Sequence, residues 1–240
     1  MGLIFFEVGP ITVYTHGFFL LLGVLAAFTT IYYLAPAREL DRSKIIDIVV
    51  YPLLAGLIGA RITYFALYSN QFDSFWQIFQ LWGGGLVSWG GFVAALAALY
   101  FVTKSLKASY FKWLDLFILS SFLGLAVGRL GSFLSGEYAG IPYDGMFSYA
   151  GVHPITLYQS FWNLLIFIVL LIIFKNLKNL FDDGLIAVEG VMLYSLGRFS
   201  IDFMRAESDL FWFLSLGQIV SLLVFAISLI IFVRITAKKE

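Results

Sequence analysis

Seven apolar runs, each close to the roughly 20 residues that a helix needs to cross a bilayer, constrain this chain more than any other feature. They lie at about 14–35, 46–68, 85–103, 111–134, 155–174, 185–206 and 213–234. Apolar residues make up 61% of the 240 residues and charged ones only 12%, more apolar surface than a soluble protein of this size can bury. The pattern predicts an all-α, polytopic integral membrane protein with a single transmembrane domain over 1–240.

The basic residues between the runs predict the orientation of the chain. Eleven lysines and arginines lie after runs 1, 3 and 5 and at the C-terminal end, whereas the N-terminal tail and the loops after runs 2, 4 and 6 contain none. Cytoplasmic loops of membrane proteins carry the excess of lysine and arginine. We therefore expect the N-terminus outside and the C-terminus in the cytoplasm.

Net charge and cysteine content narrow the function further. The formal net charge is zero, so nothing in the composition indicates a nucleic-acid partner. A chain without cysteine can supply neither disulfides, nor thiolate metal ligands, nor a cysteine nucleophile. The sequence shows no cluster with metal-ligand spacing, and we expect no cofactor.

The remaining four basic residues lie inside the apolar runs: Arg61, Arg129, Arg198 and Arg205. A charge in this position costs about 2.5–3.5 kcal/mol on insertion scales, so it indicates a functional site by default. In the predicted orientation all four fall in the outer half of the membrane. Guanidinium groups suit phosphate, which the outer leaflet supplies as lipid headgroups. For Arg205 a structural ion pair with Glu207 or Asp209 is the simpler interpretation, whereas Arg129 and Arg198 lie deeper beside glycines.

Polar residues follow the two deeper arginines in the sequence. Ser132 and Glu137 come after Arg129 in a glycine-rich segment that ends at Gly140. This segment is either part of a site or an ordinary turn in which Arg129 and Glu137 form a structural pair. The glycines would let backbone and ligand approach closely.

Three further segments contain candidate residues. In run 6, Tyr194 precedes Arg198, and Asp202 follows it four residues later on the same helix face, where the two charges partly neutralise each other. His153 precedes the proline that opens run 5, where a helix cap is the simpler interpretation. Trp89 lies in the glycine run 83–91, which predicts an irregular segment lining a cavity.

Taken in order, these motifs resemble the bacterial prolipoprotein diacylglyceryl transferases over nearly the whole chain. The most specific part is Gly128-Arg129-Leu130-Gly131 through Glu137 and Gly140. The supporting pieces are Gly9-Pro10 with His16-Gly17, Gly59-Ala60-Arg61, the glycine run 83–91, His153-Pro154 with Leu157-Tyr158, Gly197-Arg198-Phe199 with Asp202 and Arg205, and the segment 214–218.

The resemblance implies a multi-pass enzyme of the bacterial cytoplasmic membrane with its active site toward the outer face. Its reaction moves the diacylglyceryl group of phosphatidylglycerol onto the lipobox cysteine thiol of a prolipoprotein, forming a thioether and releasing glycerol 1-phosphate. The catalytic residues implied for this sequence are Arg129, Arg198, Glu137, His16 and His153. The implied substrate-binding residues are Arg129, Arg198, Arg61, Ser132, Gly140, Tyr194, Asp202, Arg205 and Trp89.

The sequence departs from the family pattern at four positions. Trp89 stands where the family usually has His, His16 where it has Tyr, Ser132 where it has Asn, and Asp202 where it has Glu. The family His is a candidate base. One hypothesis is that His16 supplies the missing imidazole, which requires the positions of His16 and Trp89 to line one cavity. The other is that the family His is dispensable and that His16 caps the helix entrance.

The mechanism and two rival functions stay open at this level. The thiol proton has four candidate acceptors: Glu137, His153, His16 and the departing phosphate. One rival is a family member that binds phospholipid without turnover because Trp89 replaces a needed group. The other is an anion or lipid transporter, although a transporter typically places its site at the membrane midplane.

Overall fold

In a computed structural model of the chain, the structure describes residues 3–9, 11–72, 74–80, 84–176, 182–206, 210–211 and 213–237. These described ranges contain seven α-helices: α1 (Thr15–Leu34), α2 (Ile45–Leu67), α3 (Ser88–Ser105), α4 (Tyr110–Leu134), α5 (Ile155–Asn176), α6 (Leu185–Asp202) and α7 (Leu216–Thr236). Each matches one predicted run within about four residues at either end. The predicted all-α, polytopic architecture is confirmed.

Five of these helices in the described ranges, α1, α2, α4, α5 and α7, are long and apolar enough to cross a membrane. Helices α3 and α6 have 18 residues each, so they extend about 27 Å, close to the roughly 30 Å of a hydrocarbon core. Polar residues lower the apolar character of both: α6 carries Glu189, Arg198 and Asp202, and α3 begins with Ser88 and includes Lys104. The chain is a multi-pass membrane protein, and crossing by α3 and α6 stays a prediction.

The structure adds short strands that the apolar pattern did not indicate. β1 (Ile4–Val8) and β2 (Ile11–Tyr14) form an antiparallel hairpin, and β3 (Leu210–Phe211) pairs with β4 (Leu214–Ser215) just before α7. The backbone N–H and the hydroxyl of Thr15 both donate to the carbonyl of Leu3 at 2.9 Å. The hairpin is thereby joined to the first turn of α1, at the position just before His16.

The chain divides into two compact units, and each is described by itself. One unit comprises residues 35–114, with α2 and α3, and the other comprises 1–34 and 115–240. In the smaller unit α2 and α3 pack through small residues, as membrane helices commonly do. A Cβ on Gly59 would lie 2.3 Å from the Cβ of Ala94, so glycine is required for this close approach. The prediction of one domain stays a prediction.

In the larger unit a buried acid on α4 caps α6. The two carboxylate oxygens of Asp115 accept hydrogen bonds from the backbone N–H groups of Gly184 and Ala187, each at 2.9 Å. These are the otherwise unpaired donors of the first turn of α6, where a negative charge is also favoured by the helix dipole. The contact therefore fixes the register of α6 along α4.

Candidate functional site

The register of α4 and α6 explains why two distant arginines meet. Arg129 follows Asp115 by fourteen residues, and Arg198 follows Gly184 by the same number. Fourteen helical residues rise about 21 Å. Two helices joined at Asp115 and Gly184 and running side by side therefore carry both guanidinium groups to the same level. In the structure Arg129, Tyr194 and Arg198 do line one cavity, together with Leu125, Gln159, Trp162, Asn163 and Ile201.

The charges around this cavity do not cancel. Arg129 is subject to the electrostatic influence of Tyr194, Arg198, Arg205 and Glu137. Among the described residues of this cluster, three arginines and the two carboxylates of Glu137 and Asp202 leave one positive charge. A phosphodiester carries one negative charge, which would neutralise this cluster.

Asp202 is shared between two of the arginines. Its Oδ1 lies 4.0 Å from the Arg198 guanidinium and 3.8 Å from the Nε of Arg205, and its side chain is only 4% exposed. The predicted neutralisation of Arg198 by Asp202 is thus confirmed in geometry. The expected partners of Arg205, Glu207 and Asp209, lie outside the described residues, and Arg205 pairs with Asp202.

Ser215, which lies in the family segment 214–218 and had no predicted role, holds Asp202 in place. The Ser215 hydroxyl donates to Asp202 Oδ2 and accepts from the backbone N–H of Gln218 at 3.0 Å. The Gln218 side chain in turn accepts from the Ser215 N–H at 2.8 Å, which completes a capping box at the start of α7. The Ser-x-x-Gln spacing was the available signal, because it predicts such a box before an apolar run.

The loop after α4 is joined by backbone hydrogen bonds to the end of α6. Ala206 N–H donates to the Ala139 carbonyl at 3.1 Å, and Ile141 N–H donates to the Met204 carbonyl at 2.9 Å. Gly140 and Arg205 face each other between these bonds. A Cβ on Gly140 would lie 2.0 Å from the carbonyl oxygen of His153. The structure therefore gives Gly140, predicted to bind substrate, a packing reason for having no side chain.

The two histidines have different surroundings. The ring of His153 stacks on Tyr143, with ring centroids 3.9 Å apart, and its Nδ1 lies 3.2 Å from the Tyr158 hydroxyl. His16, half-buried on the first turn of α1, has its Nδ1 3.1 Å from the hydroxyl of Ser132. Two of the residues that depart from the family pattern are thus direct neighbours.

The fourth arginine and Trp89 lie in the smaller unit. All five N–H groups of Arg61 donate to backbone carbonyls: Nε to Ile78, one terminal nitrogen to Gly84 and Gly85, and the other to Gln77 and Gln80. Its side chain is buried, and no donor is left for a phosphate. This geometry supports a structural role for Arg61 rather than the expected substrate contact. Trp89 is 63% exposed at the start of α3, and its predicted cooperation with His16 stays a prediction.

The fold and the site together define a multi-pass membrane protein with a cavity that two arginines line among its helices. A family model described as prolipoprotein diacylglyceryl transferase matches residues 3–234. The chain belongs to this family.

Three curated relatives illustrate the match, each named phosphatidylglycerol–prolipoprotein diacylglyceryl transferase. The protein from Finegoldia magna is 30% identical over 100% of this chain and 97% of its own length. The one from Clostridioides difficile is 35% identical over 85% of this chain and 82% of its own. One from Clostridium perfringens, numbered 1 in its name, is 28% identical over 100% and 97%.

Proposed function

We propose that this chain transfers the diacylglyceryl group of phosphatidylglycerol to the thiol of the lipobox cysteine in a prolipoprotein, the first step of bacterial lipoprotein maturation. The observation that carries the proposal is the cavity that Arg129 and Arg198 line, in a cluster whose described residues have one positive charge in excess. The names of the relatives supply the substrate classes. An anionic lipid phosphate fits the charge of the site.

The reaction exchanges one bond for another at a single carbon, the carbon of the diacylated glycerol that is bonded to a phosphate oxygen. The sulfur attacks this carbon, a C–S bond forms, and the C–O bond to phosphate breaks with its electron pair leaving on glycerol phosphate. Charge therefore grows on the phosphate in the transition state, where Arg129 and Arg198 stabilise it. The nucleophile is the thiolate, and the same positive charge favours deprotonation of a bound thiol.

Glu137 is the strongest candidate for the proton acceptor. It is the carboxylate in the loop after α4 whose charge acts on Arg129, whereas His153 belongs to the aromatic cluster with Tyr143 and Tyr158. His16, beside Ser132, and the departing phosphate are the alternatives. Loss of a general base lowers the rate by about 10²–10⁴-fold, so Glu137→Gln should fall in this range and His153→Gln well short of it.

The test is a purified assay with the intact protein. A lipobox peptide with one cysteine is incubated with phosphatidylglycerol, and thioether formation is followed by peptide mass. The proposal predicts a peptide heavier by one diacylglyceryl group and stoichiometric release of glycerol phosphate. Binding of phosphatidylglycerol without any change in the peptide would instead establish the non-catalytic lipid-binding alternative.

The proposed location is the bacterial cytoplasmic membrane, with the N-terminus and the cavity toward the outer face. The eleven basic residues confined to alternate connections support this orientation. A reporter fused after residue 240 should behave as cytoplasmic and one inserted at 140–150 as external. The same side for both reporters would contradict the orientation.

A further inference from the structure

Two amide side chains, Gln159 and Asn163, line the cationic cavity beside the arginines. Gln159 and Asn163 lie four residues apart on α5, so they occupy one face of that helix. They are 8% and 3% exposed, and both line the cavity with Arg129 and Arg198. Among the described residues, neither Gln159 Oε1 nor Asn163 Oδ1 has a hydrogen-bond partner. Buried acceptors are normally paired, so two unpaired ones in one cavity indicate a ligand that donates.

The surroundings leave few local donors for these oxygens. The indole N–H of Trp162, which also lines the cavity, donates to the carbonyl of Leu193 at 3.1 Å. A Cβ on Gly197 would lie 1.8 Å from this indole nitrogen, so the glycine allows the ring to sit against α6 and keeps its N–H turned to Leu193. Arg129, Tyr194 and Arg198 line the same cavity and do not bond to either amide oxygen, so both oxygens are available to a donor that enters the cavity.

The charge and the hydrogen-bonding groups of the cavity indicate which kind of hydrogen-bond donor fits the two amide oxygens. Phosphate oxygens only accept hydrogen bonds, so the phosphate itself suits Arg129 and Arg198 and not two carbonyl oxygens. An ammonium headgroup donates, but the positive charge of the cluster opposes it. Neutral hydroxyl groups next to an anionic phosphate satisfy both conditions.

We propose that Gln159 and Asn163 form the subsite for the two free hydroxyls of the donor's glycerol headgroup, and so set the specificity for a phosphatidyl-polyol lipid. This inference rests on the proposed function. The arginines hold the phosphate, and the amide oxygens accept from the hydroxyls. The same contacts hold the glycerol phosphate in place while it leaves.

The experiment compares two donor lipids with identical acyl chains. Phosphatidylglycerol carries both headgroup hydroxyls, and phosphatidylpropanol carries none. The measured quantity is the ratio of kcat/KM for the two donors with a lipobox peptide. Because the ratio is taken within one protein preparation, a loss of folded protein cancels.

We expect the wild type to favour phosphatidylglycerol by on the order of 100-fold, since an unmatched buried acceptor in a site rejects the analogue that lacks the hydroxyl. Gln159→Met and Asn163→Leu, which nearly preserve side-chain volume, should each lower the ratio by about tenfold, and the double variant should bring it close to one. Asn176→Leu is the matched control, an exposed amide at the end of the same helix, and it should keep the wild-type ratio.

The possible outcomes distinguish failure of the hydroxyl subsite from failure of the proposed transferase function. A wild type that transfers from both lipids equally well, or a double variant that keeps full discrimination, overturns the subsite, and the amides then hold only water. A wild type that transfers from neither lipid contradicts the proposed function and the inference with it.

Discussion

Two regions of this protein place arginine inside an apolar run, and they use it in opposite ways. In the smaller unit Arg61 gives all five of its N–H groups to backbone carbonyls. In the larger unit Arg198 and Arg205 pair with Asp202, and the charge of Glu137 acts on Arg129. Among the described residues these three arginines exceed the two carboxylates by one charge. A guanidinium among apolar helices is therefore a binding site only where its donors are not already used.

The largest effect is expected for the centre of the cationic cluster. Arg129→Ala should lower kcat/KM for transfer by about 10³-fold, because removal of one preorganised donor to a developing anion costs roughly 10²–10³-fold and the net charge of the cavity falls as well. Arg234→Ala is the control, since this arginine is exposed in the last turn of α7 in the same unit. Equal losses in both variants at equal protein levels would remove the basis for the phosphate site.

The next largest effect concerns the residues that depart from the family pattern. If His16 rather than Glu137 accepts the thiol proton, His16→Tyr should lower transfer by about 10²-fold. The imidazole that it removes lies 3.1 Å from the hydroxyl of Ser132. The direct contact predicts that adding Ser132→Asn, the family's usual partner, restores activity. Rescue by Trp89→His in place of Ser132→Asn would favour the cooperation expected from the sequence. Full activity of His16→Tyr alone would contradict both explanations.

A smaller effect is expected one contact away from the arginines. Ser215→Ala removes the hydroxyl that donates to Asp202, and hydrogen bonds to charged groups contribute about 1.5–3 kcal/mol, so transfer should fall at least tenfold. The same change removes the cap of α7 and should lower stability by about 1 kcal/mol. Ser215→Thr, which keeps the hydroxyl, should recover the rate. A rate loss shared by Ala and Thr would show that this hydroxyl does not act through Asp202.

The smallest effect on transfer is expected at Arg61. Arg61→Lys replaces the five N–H donors of the guanidinium with the three of a single ammonium group. Each buried carbonyl left without a donor lowers the free energy of unfolding by about 1–3 kcal/mol. The thermal midpoint in detergent should fall clearly, while kcat/KM per folded molecule stays within about twofold of the wild type. A strong rise in KM for phosphatidylglycerol with an unchanged midpoint would return Arg61 to the substrate site.

The sequence predicts the helices well because their signal is local. Each apolar run is long enough to be unambiguous, and the runs match α1–α7 closely. The predicted and observed elements differ where backbone geometry sets the structure. Helix α3 begins only at Ser88, after Gly84 and Gly85 with positive φ, and the β1–β2 hairpin has no long apolar run that would predict it.

The site was predictable in its charges but not in its pairings. Arg129, Arg198 and Asp202 were found because a charge in an apolar run is costly and therefore conspicuous. Whether Arg61 can bind a ligand depends on backbone carbonyls up to 24 residues away that accept its hydrogen bonds. No spacing rule predicts these contacts. Gln159 and Asn163 had a weaker signal, because two amides at helical spacing in an apolar run do not by themselves indicate a site. Their position in the cavity with the arginines makes them candidates for ligand binding.

The most direct test is equilibrium binding of phosphatidylglycerol to the purified protein in nanodiscs of zwitterionic lipid, without peptide. Arg129→Gln and Arg198→Gln, each measured beside Arg61→Lys, compare the two regions in one assay. We expect about 10–100-fold weaker binding for each glutamine variant, because charge-assisted hydrogen bonds to phosphate are lost, and wild-type affinity for Arg61→Lys. Unchanged affinity in both glutamine variants, or an equal loss in Arg61→Lys, would contradict the claim that the two arginines of the cavity hold the donor phosphate.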